Sequence, residues 1–266
     1  MIEINNIGEI TQIRLASEHN GEPYYWVSAY LVDGLLIDTG CSKALPEFSN
    51  FLRKAKIDLV VNTHSHQDHI GANSLIQKEL RLPVYAGKLA IPLIQDPPKT
   101  PWYLNQVWGP AEPSNPLPLQ AVVETDRFRF EVIDTPGHSP DHVCLVEREQ
   151  GWVFSGDLYV GRELSVAGPE TNVSDMLESI YRLISVMDDE TIMFTALRTV
   201  RFDGRKTLMD FARHFEGLME QARKLASQGM SVQEIVNRLF GSESVFDSMT
   251  DGLFSSANLV RAFLRD

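Results

Sequence analysis

Residues 57–69, IDLVVNTHSHQDH, join a short apolar run to a dense group of polar side chains. The apolar part is rich in β-branched residues, as buried strands are. Three histidines and one aspartate then fall within six positions, and His64 and His66 point to the same side if the chain stays extended. Imidazole and carboxylate groups bind zinc, iron and manganese, whereas packing four of them together without a metal would cost desolvation energy. The segment therefore predicts a metal site at the end of a strand.

Three more polar groups follow predicted strands. Asp38 ends a predicted hairpin, His138 comes after the alternating strand RFRFEVID at residues 127–134, and Asp157 ends the next strand pair. The strands of one sheet can bring their ends together, and loops held by a rigid sheet are where sites are usually built. We therefore expect these three residues to lie close to His64.

The motif HSHQDH at residues 64–69 resembles the HxHxDH signature of the metallo-β-lactamase-fold superfamily. Three further motifs stand in the order of that family: DTG at residues 38–40, PGHSP at 136–140 and SGD at 155–157. Together the motifs cover most of residues 25–160. The resemblance implies an α/β fold of the four-layer αββα sandwich type and the activity of a metal-dependent hydrolase.

The resemblance also implies which residues bind metal. The implied ligand set is His64, His66 and His138 for a first ion, Asp68 and His69 for a second, and Asp157 as a bridge between them. Asp68 would in addition orient the attacking water or accept its proton. Zinc is the expected metal, as one ion or two, with iron and manganese as alternatives.

One element of the family pattern is replaced in this chain. Members of the superfamily usually end the core domain with a strand that runs into a final metal-binding histidine, and here the matching segment TIMFTAL ends at Leu197. A leucine side chain cannot coordinate a metal. The implied second site therefore keeps at most Asp68, His69 and Asp157. A one-metal or degenerate centre, a ligand from elsewhere in the chain and an introduced change in a two-metal enzyme are the three explanations.

Three residues beside the motifs are further candidates. The resemblance implies that Asp38 organises the loops or orients ligands around the metal. His142 lies in HSPDHV, which resembles the GHSxxH form of some family branches, and it either faces the substrate or forms structural hydrogen bonds. Tyr159 could donate a hydrogen bond to a developing oxyanion or could simply pack.

The overall composition limits the function further. The chain has 266 residues and a formal net charge of −12, which disfavours a nucleic-acid partner because phosphate backbones are bound by clustered lysine and arginine. No membrane span and no leader peptide are expected, and with only Cys41 and Cys144 the chain is not a disulfide framework. We expect a cytoplasmic protein that acts on a small molecule, with a homo-oligomer left open.

The pattern changes near residue 204. Residues 1–203 read as the metal-binding domain, and residues 204–266 read as a helical C-terminal subdomain of three helices. Residues 95–120 are rich in proline and aromatic residues, so we expect little regular structure there. This segment is interpreted either as a substrate-covering loop or as a surface connection with packed aromatics.

The resemblance is strongest to the glyoxalase-II-like branch of thioester and ester hydrolases, which also carry helical additions. It implies that metal-activated water attacks an ester, thioester, lactone or related bond. The basic residues of the C-terminal helices suggest an anionic substrate, although such residues usually form a solvated face; they are Arg205, Lys206, Arg213, Arg223 and Lys224. The alternatives are a mononuclear iron oxygenase of the same fold and a binding or regulatory protein without turnover.

Overall fold

The computed structural model describes residues 1–197 and 200–265 of the chain. The strands in these residues are β1 Ile2–Ile7, β2 Ile10–His19, β3 Glu22–Val32, β4 Leu35–Ile37, β5 Leu59–Asn62, β6 Val84–Ala86, β7 Leu117–Pro118, β8 Val122–Glu124, β9 Arg129–Asp134, β10 Val143–Glu147, β11 Trp152–Gly156 and β12 Ile192–Thr195. The α-helices are α1 Leu45–Leu52, α2 Asn73–Leu75, α3 Ala90–Gln95, α4 Trp102–Val107, α5 Val173–Ile184, α6 Gly204–Ser227, α7 Val232–Phe240, α8 Val245–Met249 and α9 Ser256–Phe263, and a 3-10 helix at Ser42–Ala44 and a π-helix at Ile76–Leu80 complete the set in the described residues.

The strands form two sheets that pack face to face. In the first sheet the order is β1 to β7, antiparallel as far as β4 and parallel from β4 onward. In the second sheet the order is β12-β11-β10-β9-β8, with β12 parallel to β11. Their facing sides share one apolar cluster, in which Tyr30 of the first sheet packs edge-on against Phe154 and Phe194 of the second.

Helices cover the outer face of each sheet. Phe48 and Leu52 of α1 join the buried cluster on the outside of the first sheet. Ile180 of α5 and Phe211 of α6 join the cluster on the outside of the second. The four layers are therefore helix, sheet, sheet and helix, which confirms the predicted αββα sandwich.

The C-terminal region is helical, as predicted, but its described residues contain four helices rather than three, because the short helix α8 lies between α7 and α9. The long helix α6 begins at Gly204, and α7 begins with a complete capping box between Ser231 and Glu234. Phe215 of α6 packs against Phe263 of α9, within the same apolar cluster that covers the second sheet. The division into domains at residues 203 and 204 stays a prediction, and residue 266 lies outside the described part of the chain.

The expectation of little regular structure at residues 95–120 was wrong in part. The helix α4 lies in this segment, and β7 pairs with β6 at its end. Pro101 stands just before α4, and its carbonyl accepts a hydrogen bond from Asn105 at 3.2 Å. Proline is compatible with a helix start, and the residues between Pro101 and Gly109 contain no other proline.

The strand ends converge as expected. Strands β4 and β5 are parallel neighbours, so the loops that carry Asp38 and His64 leave the first sheet at the same edge. Strands β9 and β11 both run antiparallel to β10, so His138 and Asp157 also follow strand ends at one edge of the second sheet. The backbone amide of Val143 donates to the Thr63 carbonyl at 2.8 Å and joins the two edges.

Candidate metal centre

Asp38 connects the loops of the first sheet around one buried carboxylate. It is 2 % exposed and has a positive φ of 61°, a conformation that aspartate adopts more readily than most residues. Its Oδ1 accepts from the amide of Thr63 at 2.8 Å, and its Oδ2 accepts from the Thr63 hydroxyl, also at 2.8 Å. The Nδ1 atom of His69 lies 2.8 Å from the same Oδ2. Asp38 therefore connects the Thr63 loop to the ring of His69.

The first group of converging side chains consists of three imidazoles. Nδ1 of His66 lies 3.0 Å from Nε2 of His64 and 3.0 Å from Nε2 of His138. Two nitrogen ligands of a tetrahedral zinc ion stand about 3.4 Å apart, given zinc–nitrogen bonds of about 2.1 Å. The three nitrogens thus have nearly the spacing that a shared metal ion requires, and this group fits the implied first site.

Burial keeps two of these imidazoles neutral. His64 is fully buried, and burial together with the neighbouring histidines holds its pKa well below the usual value. Burial also lowers the pKa of His138 to about 3. Because the neutral imidazole is the form that binds metal, the surroundings favour the ligand form of both residues.

The second group of side chains lies around His69. Its Nε2 is 3.7 Å from Oδ2 of Asp68 and 3.5 Å from Oδ1 of Asp157. The other oxygen of Asp157 is 3.5 Å from Nε2 of His138, so this carboxylate spans the two groups. Within the described residues, His69 Nε2 and Asp157 Oδ1 are buried and have no hydrogen-bond partner. Such unpartnered polar atoms are costly in a folded protein unless an ion or water satisfies them, and they fit the implied second site.

The charges in this second group depend on one another. Burial opposes a positive charge on His69, but the surrounding carboxylates, led by Asp38, raise its pKa well above the usual value. Burial opposes ionisation of Asp157, yet His69 holds its pKa below the usual range. For Asp68, burial prevails and raises the pKa. The group is strongly polar and shielded from water.

The sequence model of the metallo-beta-lactamase superfamily matches residues 27–194, which include every residue of both groups. The chain belongs to this superfamily. Its fold agrees with that of a beta-lactamase domain protein from Burkholderia ambifaria, with a TM-score of 0.77 at 18 % identity over 98 % of this chain and 87 % of that one. The predicted family and fold are therefore confirmed.

Two relatives of this member of the metallo-beta-lactamase superfamily have names that describe the hydrolysis of acyl compounds. An acyl-coenzyme A thioesterase MBLAC2 from Gallus gallus is 30 % identical over 49 % of this chain and 52 % of that protein. A hydroxyacylglutathione hydrolase from Legionella pneumophila (strain Paris) is 24 % identical over 50 % of this chain and 46 % of that protein. The chain therefore spans about half the length of these relatives.

His142 uses both ring nitrogens within the protein. Its Nε2 accepts from the amide of Asp157 at 3.0 Å, and its Nδ1 lies 2.8 Å from the hydroxyl of Thr135. The residue is 1 % exposed, and burial lowers its pKa to about 3. His142 was expected either to face the substrate or to form structural hydrogen bonds. These contacts favour the structural role, in which His142 supports the loop of Asp157.

Leu197 and Tyr159 both make apolar contacts. The amide of Ala196 donates to the carbonyl of Gly156 at 3.2 Å. Leu197 and Asp157 are the residues that directly follow this bonded pair in the chain. The Leu197 side chain is partly buried and packs against the apolar cluster of the first sheet. Tyr159 is 2 % exposed and packs edge-on against Phe211 of α6. For Tyr159 these contacts describe the packing role.

Sequence reasoning missed Glu170, which lies in the loop between β11 and α5. Its Oε1 is 2.8 Å from Nε2 of His66, although 104 positions separate the two residues. The contact raises the pKa of His66 against the effect of burial, and the same hydrogen bond lowers the pKa of Glu170. No motif includes this glutamate, so no local pattern could have identified it.

Three basic residues of α6 form ion pairs within the protein. Arg205 forms an ion pair with Asp189, and Lys206 and Arg213 both contact Asp210, so these three cations are engaged within the protein. They add no support for the predicted anionic substrate.

None of the helices in the described part of the chain combines the length and the apolar character that a membrane span requires.

Proposed function

We propose that this protein is a metal-dependent hydrolase that cleaves thioesters or related esters of small molecules. One observation carries the proposal. Three imidazole nitrogens converge, with Nδ1 of His66 lying 3.0 Å from Nε2 of both His64 and His138. Beside them lie the buried, unpartnered atoms His69 Nε2 and Asp157 Oδ1. The family assignment supports it, and so do the two relatives whose names describe hydrolysis of acyl compounds.

The metal ligands proposed here are those implied by the motifs. His64, His66 and His138 would hold the first ion, with zinc as the preferred metal because nitrogen-rich sites of this kind suit it. Asp68 and His69 would hold the second ion, and Asp157 would bridge the two. With Leu197 in the remaining position, the second site would bind its ion more weakly than the first.

The reaction follows from the residues around the proposed ions. A bound divalent ion supplies Lewis acidity, which acidifies water and polarises a carbonyl oxygen. Water forms a bond to the acyl carbon, and the bond from that carbon to sulfur breaks. The buried Asp68 carboxylate accepts the proton of the water and returns it to the departing thiolate. The products are a carboxylic acid and a thiol.

The helix α4 is the proposed cover of the substrate site. The Gln67 side chain, which lies within the HSHQDH motif, donates to the Leu104 carbonyl of α4 at 3.0 Å. At the start of the same helix, Trp102 is 72 % exposed, and Tyr103 forms a hydrogen bond with Tyr24 of β3 at 2.7 Å. The exposed indole of Trp102 would provide an apolar surface for an acyl group.

The preferred compartment is the cytoplasm. Cys41 and Cys144 are both free and buried, which suits a reducing compartment. The preferred partner is a small-molecule substrate, and no nucleic-acid or membrane partner is proposed.

The first test is the metal content per chain, measured by elemental analysis on protein purified without chelator and on a Leu197→His variant. We expect one tightly bound zinc ion in the natural chain and a second equivalent in the variant. Two ions in the natural chain would mean that another group replaces the missing histidine. No zinc, iron or manganese in either protein would refute the proposal, and iron with dioxygen-dependent turnover would favour the oxygenase alternative.

The second test is hydrolysis of a panel of acyl-coenzyme A and acylglutathione thioesters, followed by release of the thiol. The His138→Ala variant should lose at least about a hundredfold in kcat/KM because a proposed ligand is gone. The matched control is His214→Ala, since His214 is an exposed residue of α6 outside both groups. Equal activity in the two variants would contradict the proposed centre, and normal zinc binding without turnover of any thioester or ester would favour a binding protein.

A further inference from the structure

The three histidines of the HSHQDH motif share an arrangement of hydrogen bonds. In each ring one nitrogen points toward the other proposed metal ligands, and the other nitrogen lies against an oxygen atom. The ring nitrogens His64 Nδ1, His66 Nε2 and His69 Nδ1 are within 3.0 Å of Thr63 Oγ1, Glu170 Oε1 and Asp38 Oδ2, respectively. Two of these acceptors belong to the loops of the first sheet, whereas Glu170 comes from a loop beyond the second sheet.

We propose that Glu170 is a positioning residue for metal binding, because its carboxylate accepts the Nε2–H of His66 and keeps Nδ1 of that ring free to bind the first ion. A neutral imidazole has one lone pair, and a hydrogen bond at one nitrogen determines where that pair points. The distance from His66 Nε2 to Glu170 Oε1 is 2.8 Å, which is typical of a hydrogen bond to a carboxylate. This inference rests on the proposed metal centre.

His66 needs such a partner more than the other two rings do. His64 and His69 are fully buried and are held on their remote sides by Thr63 and Asp38. The His66 side chain is 26 % exposed, and Glu170 is its partner on the side remote from the candidate site. Without an acceptor, the exposed ring could turn or could place its proton on Nδ1, and either change would remove a ligand.

The loop that presents Glu170 is attached to the rest of the centre. The amide of Asn172 donates to the carbonyl of Gly137 at 2.9 Å, which joins this loop to the loop that carries His138. Between them, Thr171 is 5 % exposed, and its amide donates to the Gly168 carbonyl at 3.2 Å. The backbone at Glu170 is therefore held relative to the candidate site, although the Glu170 side chain remains 44 % exposed.

The experiment compares zinc affinity in the full-length protein and three variants. Glu170→Ala removes the acceptor, and Glu170→Gln keeps an oxygen acceptor without the charge. Glu163→Ala removes a carboxylate from an exposed position of the same loop, outside both groups of the candidate centre. Affinity is measured by competition with a chromophoric chelator. In the metal-free protein, NMR with ¹⁵N-labelled histidine detects the hydrogen-bonded Nε2–H of His66.

We expect Glu170→Ala to weaken zinc binding about 10- to 100-fold, the usual effect of losing a partner of a ligating histidine. Glu170→Gln should lose clearly less zinc affinity, and Glu163→Ala should bind zinc as tightly as the natural chain. The protected N–H of the His66 ring should disappear only in Glu170→Ala. Unchanged affinity in Glu170→Ala, or equal losses in all three variants, would overturn the inference. Absence of zinc binding in the natural chain would refute the proposed centre, and the ring N–H would still decide whether Glu170 holds His66.

Discussion

Replacing Asp38 by asparagine should reverse the tautomer of His69. Oδ1 of Asp38 accepts from the amide of Thr63, which can only donate, so the oxygen of asparagine has to stay at that position. The NH2 group then replaces Oδ2, which lies 2.8 Å from Nδ1 of His69. His69 has to accept there and carry its proton on Nε2, the atom that faces Asp68 and Asp157. A protonated Nε2 cannot bind a metal ion.

The size of the effect follows from these contacts. Loss of the orienting partner should weaken binding of the second ion about 10- to 100-fold, or about 1.4–2.7 kcal/mol in binding free energy. Asparagine tolerates the positive φ of 61° at Asp38, so the backbone stays unstrained. Asp38→Ala would instead leave three buried donor groups without an acceptor, at about 1–3 kcal/mol each. A loss of about 3 kcal/mol or more is large against a typical total stability of about 5–15 kcal/mol.

Zinc titration and urea unfolding distinguish these outcomes. Asp38→Asn should unfold near the natural urea midpoint, bind the first ion normally and bind the second weakly. The comparison is repeated in a Leu197→His background, where the second site has a further ligand. Full affinity for both ions in Asp38→Asn, or natural stability of zinc-free Asp38→Ala, would refute the account of Asp38.

Two further outcomes follow from burial and backbone geometry. Burial raises the pKa of Cys41 to about 11 and of Cys144 to about 12, against about 8.5 for an ordinary thiol, so both stay protonated until the pH exceeds those values. Ellman's reagent at pH 8 should therefore leave the folded protein unmodified and should titrate both thiols in urea; fast reaction of the folded protein would contradict their burial. Gly137→Ala should destabilise the fold by about 2 kcal/mol or more in urea unfolding, because φ is 138° and the added Cβ would lie 2.3 Å from the Met176 Cα. Gly217→Ala is the matched control, since its Cβ meets nothing within 4 Å in helix α6 and should stabilise by about 0.5–1 kcal/mol; equal effects at the two glycines would be inconsistent with this packing.

Much of the candidate centre could be predicted because its residues lie in short motifs at strand ends. The spacing of His64 and His66 places two imidazoles on one side of an extended segment, and the chain order of the other motifs matches the family. The packing of Leu197 against the first sheet also agrees with its apolar character. The helix α4 was missed, because a proline-rich composition hides a short helix that begins directly after Pro101.

The sequence by itself determined the elements and the family: alternating and apolar runs specify the strands, helical spacing specifies α6, and the HSHQDH motif specifies a metal-binding loop. Only the tertiary structure decided which atoms face one another across the two sheets. It joined Glu170 to His66 over 104 positions, directed His142 to the Asp157 amide and paired the cations of α6 with carboxylates. The physical reason is that periodicity and motif spacing act over a few residues, whereas hydrogen bonds between loops depend on how distant strands pack.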